Sequence, residues 1–393
     1  MALGAADERA GATGGRRSEG RSLVAAGGRM SDGAVPARVA VRPLGHSDLV
    51  IPPIVLGGMF RDSSQRETDL ARVIDCALEA GLYAIDTAPL YDFGESERLL
   101  GRLLVGRRGR VCLMSKVGLR WDDAWGELLF SAAQGGRPID VRRDSRPEAI
   151  RRDVEESLLR LGCETLDLVQ VHHRDRLTPI AETMGALARL HDEGKLRAIG
   201  VSNFTPEDIE AARVALGALP LASTQNCYSL LERGAEDALL PWVRRNEVGF
   251  LAYSPLAQGL LAGRLLAGGL PASDGRSRGP LFQSANVERI HVALRSVVLP
   301  IGERAGIGIA SVALAWVFMQ SGVTAAIVGA QDERQVRDAI AALELRLSTD
   351  EFGQIGRVFA ELPIARAAGA PLHRRIADRL SGVLRRRLEQ LRR

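Results

Sequence analysis

A (β/α)8 barrel is the fold class this sequence predicts, preceded by an N-terminal β-hairpin and followed by a C-terminal basic helix. Three observations lead there. Between residues 39 and 365, eight short apolar runs alternate with longer helical patterns. Such alternation argues for a parallel sheet covered by helices, and eight units suit closure into a barrel. The runs are apolar throughout and rich in β-branched residues, as strands buried on both faces are. An open doubly wound sheet would want a glycine-rich phosphate loop after an early strand. Ile54-Val-Leu-Gly-Gly-Met59 offers only a glycine pair.

The elements follow in order. Val39–Arg42 and Leu49–Pro52 bracket Gly45-His-Ser-Asp48, a hairpin signal. The strand candidates are Ile54–Gly57, Tyr83–Asp86, Val111–Ser115, Leu166–His172, Leu196–Val201, Leu221–Asn226, Gly249–Tyr253 and Ala325–Val328. Helical patterns cover Gln65–Ala80, Arg146–Leu161, Pro179–Glu193 and Pro206–Leu216, among others. Two excursions break the rhythm. Residues 117–145 carry Trp121, Trp125 and Phe130, and residues 257–283 are rich in Gly and Leu. On a barrel, long loops after strands lie over the mouth.

The organisation is a barrel at 39–365 between two unlike ends. Residues 1–38 are Gly-, Ala-, Arg- and Ser-rich without periodicity and read as a disordered extension. Arg16-Arg17 is followed by no long apolar stretch, so a twin-arginine signal is not expected, and Met30 precedes a more conventional start. Residues 366–393 hold nine arginines against Asp378 and Glu389. Ile376, Leu380, Val383, Leu384, Leu388 and Leu391 recur there at helical spacing, so the tail reads as a basic amphipathic helix. It could pack on the barrel, pair with another subunit, or rest on an anionic surface.

Composition narrows the function. With 46% hydrophobic and 25% charged residues, the chain is ordinary globular material. Cys76, Cys112, Cys163 and Cys227 form no C-x-x-C pair, which argues against a disulfide framework or zinc knuckle and fits a reducing, cytoplasmic setting. No apolar run approaches the roughly 18 residues of a membrane span. The net charge of +4 comes from the ends, and the body between them is net negative. That argues against a nucleic-acid enzyme, whose working surface should be basic.

Ionisable residues finish three neighbouring strands. Asp86 ends the second, Lys116 the third and His172 the fourth, while Tyr91 follows in the loop after the second. Barrel enzymes place catalytic groups at this end of the strands. Alternation along Leu168-Val-Gln-Val-His172 sends Leu168, Gln170 and His172 inward and turns His173 away. Lys116 is one of only two lysines among 52 basic residues. A lysine kept at a strand end suggests a need for a compact ammonium, which a guanidinium cannot replace. The plainer alternative is a buried ion pair with Asp86. No H-x-H pair or acidic cluster completes a metal site. His46, His191, His291 and His373 lie in polar turns or helices and read as solvated.

Taken together, Asp86-Thr-Ala, Tyr91, Gly94-Glu-Ser-Glu97, Met114-Ser-Lys116 and Asp167-Leu-Val-Gln-Val-His172 resemble the signature of the aldo-keto reductases. Gly200-Val-Ser-Asn-Phe204, Gln225 with Tyr228, and Ala252-Tyr-Ser-Pro-Leu256 extend the likeness over about residues 39–350, most closely to the bacterial aldehyde and sugar oxidoreductases. The resemblance implies NADP(H)-dependent hydride transfer to or from a small aldehyde, ketone or aldose. It implies that Asp86, Tyr91, Lys116 and His172 are catalytic, with Tyr91 the general acid and base. Lys116 would lower the tyrosine's pKa, Asp86 would hold Lys116, and His172 would orient the carbonyl.

It further implies that Ser202, Asn203 and Gln225 bond the nicotinamide carboxamide, that Tyr253 stacks on its ring, and that Ser254 and Leu256 meet the pyrophosphate. Gly329, Arg334, Gln335 and Asp338 would grip the adenosine phosphate, with NADPH preferred over NADH. Gln331 and Ala339 depart from the family pattern there, where serine and asparagine are common, and Asp92 departs after Tyr91, where glycine is usual. Trp121, Trp125 and Asp92 are the substrate-wall candidates, joined by Phe130 or by Arg142 and Arg143. Two other readings stay open: a Schiff-base lyase using Lys116, and a nicotinamide-binding regulatory subunit of slow turnover.

Overall fold

The computed structural model describes residues 39–59, 67–134, 137–263, 276 and 279–364. The extension 1–38, the basic tail 366–393 and residues 264–275 of the second excursion lie outside the described residues. Two short strands, β1 (Arg42–Pro43) and β2 (Val50–Ile51), pair antiparallel as the expected hairpin, with Arg42 opposite Ile51. Its turn passes under the barrel. Gly45 sits at φ +59°, and a Cβ there would lie 2.6 Å from the Ala222 carbonyl oxygen, so only glycine fits.

The barrel starts with β3 (Ile54–Gly57), α1 (Glu67–Glu79), β4 (Ala84–Asp86), α2 (Glu95–Leu103) and β5 (Cys112–Val117). The first excursion then intervenes as β6 (Leu119–Arg120), β7 (Glu127–Gln134) and β8 (Arg137–Arg143). Next come α3 (Pro147–Leu161), β9 (Leu166–Val171), α4 (Ile180–Asp192), β10 (Leu196–Ser202), α5 (Pro206–Leu216), β11 (Leu221–Cys227), α6 (Leu239–Asn246) and β12 (Gly249–Tyr253). The chain continues through α7 (Ser284–Ala293), α8 (Leu299–Ala305), α9 (Ile309–Met319), β13 (Ala325–Val328), α10 (Glu333–Glu344) and α11 (Thr349–Ala360). Eight parallel strands close in the order β10-β11-β12-β13-β3-β4-β5-β9. All eight expected strands are present, within three residues at either end.

Helix ends follow local chemistry. Pro147 and Pro206 occupy first-turn positions that need no N–H donor, and Gly162 closes α3 in the left-handed conformation. Thr205, Asp332 and Ser348 cap α5, α10 and α11 through their side chains. On α1, Leu70, Val73, Ile74, Ala77 and Leu78 form the stripe that packs on the sheet. By contrast, α9 is apolar on every side because it is buried on every side. No single helix among the described residues is long and apolar enough to cross a membrane.

Two apolar layers result. One lies between strands and helices. The other fills the barrel floor, where Leu44, Leu49 and Ile51 of the hairpin meet Val55, Ala84, Met114, Leu168 and Leu251. Val169 and Val171 belong to the first layer and Leu168 to the second, as strand alternation requires. The upper half of the barrel is left to polar side chains.

The first excursion, expected only as a long loop after the strand, is a three-stranded antiparallel sheet, β6-β8-β7. Its alternation is weak because Arg and Asp sit among its apolar residues. They pair within the sheet: Arg142 bonds Asp140 and the Gly126 carbonyl, and Arg143 bonds Glu127. Both arginines therefore help to fasten the sheet.

Candidate active site

Strand ends deliver the polar groups to one place. Asp86 and Met114 are register partners, as are Lys116 and Gln170. The Thr87 N–H donates to the Met114 carbonyl and the His172 N–H to the Val117 carbonyl, fixing the chain as it leaves β4 and β9. Lys116 is only 1% exposed. Its ammonium donates to Asp86 Oδ2 at 2.6 Å, the Thr87 carbonyl at 2.9 Å and the Tyr91 hydroxyl at 3.1 Å. The other Asp86 oxygen accepts from Gln170 at 3.2 Å and Gln225 at 3.0 Å. A buried ion pair needs its remaining lone pairs satisfied, and the two glutamines do so.

Tyr91 opens a strained turn. Asp92 and Phe93 have φ of +52° and +51°, and Gly94 follows at +90°. Left-handed conformations at non-glycine residues cost energy and persist only where the surroundings impose them. The Tyr91 ring stands edge-on to His172, with centroids 6.2 Å apart. Burial raises the Tyr91 pKa above its ordinary value despite the opposing pull of Lys116. The pull of Lys116 has the expected sign, and burial outweighs it. Burial alone would lower the Lys116 pKa, but Asp86 and Tyr91 outweigh it and hold the ammonium above its usual range. His172 is held well below 6.5 by burial, then by the Lys116 charge and His173, so it is neutral. His173 is buried too, stacked on His172 at 5.4 Å.

The next three strand ends carry amides and hydroxyls. The Ser202 hydroxyl donates to the Gln225 carbonyl at 2.9 Å. Asn203, at φ +60°, donates to the His172 carbonyl and to Ser202, both at 3.0 Å, and accepts from the Tyr253 hydroxyl at 2.9 Å. The Gln225 amide is turned to Asp86, which ties this group to the lysine. Ser254 also has a positive φ, +55°, and Leu256 is half-buried beside it. After β13, Gly329 is exposed, and Arg334 is exposed in the first turn of α10. Gln335 completes the Asp332 cap, and Asp338 accepts the Ser311 hydroxyl at its carbonyl.

Of the wall candidates, Trp121 lies on Phe93 at 5.3 Å, in the apolar cluster that also holds Phe130 and touches Tyr91 and Tyr253. Trp125 is placed differently, with the Arg146 guanidinium 4.1 Å over its ring. Asp92 is half-buried, next to Tyr91 in the strained turn.

Gln170, inward as expected, also has a partner that its spacing does not name: it bonds Asp86 beside its register partner Lys116. Sequence reasoning left Glu97 without a partner. This carboxylate is fully buried and accepts from Ser115, Ser157 and Arg160. His291, read as solvated, is 6% exposed, and its Nε2 has no bonding partner. Among the described residues no cluster of three or more His, Cys, Asp or Glu side chains could hold a metal.

Residues 53–359 match the model of the aldo/keto reductase family. The aldo-keto reductase YhdN of Bacillus subtilis (strain 168) is 33% identical over 72% of this chain and 80% of its own length. The NADH-specific methylglyoxal reductase of Escherichia coli (strain K12) is 35% identical over 78% of this chain and 94% of its own. The solved glycerol dehydrogenase AKR11B4 from Gluconobacter oxydans superposes with a TM-score of 0.73 at 33% identity, covering 86% of this chain and 99% of that one. The protein is thus a member of the aldo/keto reductase family, an oxidoreductase of carbonyl substrates from a family that uses nicotinamide cofactors.

Proposed function

We propose that this aldo-keto reductase transfers hydride between NADP(H) and a small aldehyde, ketone or aldose, with Tyr91 as general acid in reduction and general base in oxidation. The observation that carries the reading is the buried chain from Asp86 through Lys116 to Tyr91, with neutral His172 set against the tyrosine. The donor set suits a nicotinamide. Ser202, Asn203 and Gln225 gather hydroxyl and amide groups beside the half-buried Tyr253, the kinds of polar partner a carboxamide takes next to a flat ring once their present bonds are exchanged. A nicotinamide held there supplies or accepts the hydride.

The chain's own groups manage the charge. Reduction places negative charge on the carbonyl oxygen, and a positioned acid must supply a proton. Lys116 donates to the Tyr91 oxygen, which leaves the tyrosine's own proton for the substrate. As that proton departs, the adjacent ammonium stabilises the phenolate. Asp86 holds the ammonium in place, and the two glutamines hold Asp86. A neutral His172 has one N–H to donate to the carbonyl oxygen and adds no competing positive charge.

The same geometry counts against a Schiff-base lyase. That chemistry needs a free amine, whereas Lys116 is kept protonated and engaged by three acceptors. Cofactor preference turns on residues near α10. Arg334, exposed and without an ion pair among the described residues, supports a 2′-phosphate and hence NADPH. One relative is named as NADH-specific.

The test is titration with NADPH and NADH by protein fluorescence, then turnover on methylglyoxal, other small aldehydes, ketones and aldoses. Binding with turnover supports the proposal. Binding without turnover favours a regulatory subunit, and a borohydride-trapped adduct on Lys116 favours a lyase.

A further inference from the structure

We infer that Glu97 is a positioning residue, which holds the turn bearing Tyr91 against the strand bearing Lys116. The inference rests on the role proposed for Tyr91. The two reacting neighbours come from different elements: Lys116 from β5, and Tyr91 from the turn that feeds α2. That turn has three consecutive residues at positive φ, Asp92, Phe93 and Gly94. A turn with such torsions relaxes unless something outside it imposes them. Glu97 is the third residue of α2, immediately past the turn, and it is completely buried.

Its bonds run to the elements on either side. Glu97 Oε1 accepts from the Ser115 hydroxyl at 2.6 Å, and Ser115 is the neighbour of Lys116, facing out of the barrel where Lys116 faces in. Glu97 Oε2 accepts from Arg160 at 2.7 Å and Ser157 at 3.2 Å, both on α3. Arg160 in turn lies against the turn itself. A Cβ on Gly94 would sit 2.9 Å from the Arg160 side chain. One buried carboxylate therefore ties the start of α2 to β5 and α3 and closes a ring around the strained turn. Burying a lone carboxylate is costly unless it is paired and bonded, and an apolar contact would join these elements more cheaply. What the charge-assisted bonds add is directional precision, and the 3.1 Å approach of Lys116 to Tyr91 depends on it.

Ser115→Ala and Ser157→Ala each remove one bond to Glu97, but only Ser115 links it to the lysine strand. Both changes are small enough to leave the fold intact. For Ser115→Ala, kcat for methylglyoxal should fall about tenfold with KM changed less than about twofold. The ultraviolet titration of Tyr91, taken as the difference from the Tyr91→Phe protein, should move further up because the ammonium no longer sits as close. Ser157→Ala should lose less turnover and leave the titration unmoved. Glu97→Gln, which keeps an acceptor, should recover much of the turnover lost in Glu97→Ala. A purely structural brace would lower the Tm of both serine variants and leave kcat and the Tyr91 titration unchanged, and that result overturns the inference. A Tyr91→Phe protein that keeps its turnover overturns the parent reading as well. An inactive Tyr91→Phe beside a fully active Ser115→Ala overturns the positioning role alone.

Discussion

The Lys116 ammonium lies 3.1 Å from the Tyr91 hydroxyl, and Asp86 and the Thr87 carbonyl accept its other two protons. A residue so enclosed has no room for a larger cation. Lys116→Arg should therefore lose turnover by on the order of 10², although arginine is the basic residue this chain uses almost everywhere. Steady-state kinetics on the variant checks this. Comparable kcat across the pH range would mean that any cation serves.

His172 makes stability depend on acid. The folded protein keeps this imidazole neutral well below pH 6.5, whereas the unfolded chain binds a proton near 6.5. Below that pH the unfolded state holds more protons, so stability is fully present above 6.5 and is lost as the pH falls towards the folded value. The slope is at most about 1.4 kcal/mol per pH unit. Tm measured from pH 7 to 5 should drop more steeply for the wild type than for His172→Gln. Parallel curves would place the acid sensitivity elsewhere.

Cofactor choice is expected to depend on Arg334. NADPH should bind several-fold more tightly than NADH, and Arg334→Ala should remove most of that difference with little effect on NADH. Fluorescence titration of both proteins gives the four dissociation constants. Equal affinities in the wild type would align this chain with its NADH-specific relative and remove the role assigned to the arginine.

The two tryptophans of the first excursion should behave differently. Trp121 belongs to the apolar cluster touching Tyr91 and Tyr253, whereas Trp125 stacks under Arg146. Trp121→Ala should raise KM for an aromatic aldehyde by about tenfold, the effect of roughly 1.4 kcal/mol of lost contact. Trp125→Ala should leave that KM within about twofold and mainly loosen the sheet. Equal effects in the two variants would contradict the placement.

Most of the barrel was legible because each strand is a short apolar run closed by an ionisable or turn residue, and strand alternation alone separated Leu168 and Gln170 from Val169 and Val171. The β6-β8-β7 sheet was not legible. Its charged residues, which pair along β8 and across to β7, break the apolar alternation. Asp86, Lys116 and His172 were visible as strand-end groups and Tyr91 as a loop residue beside them, but the net direction of the Tyr91 pKa was not. That direction depends on how deeply the hydroxyl is buried, which no spacing encodes. Glu97 stood in a recognised motif, yet its partners Ser115, Ser157 and Arg160 come from two other elements. Only the fold brings them together.

The most direct test of the account is Tyr91→Phe, which removes one oxygen and keeps the ring that His172 and the apolar cluster touch. Reduced-nicotinamide consumption with methylglyoxal should fall by about 10² to 10⁴, while dissociation constants for NADPH and NADH stay within about twofold of the wild type. A variant that binds cofactor normally and keeps more than half of its turnover would show that another group supplies the proton.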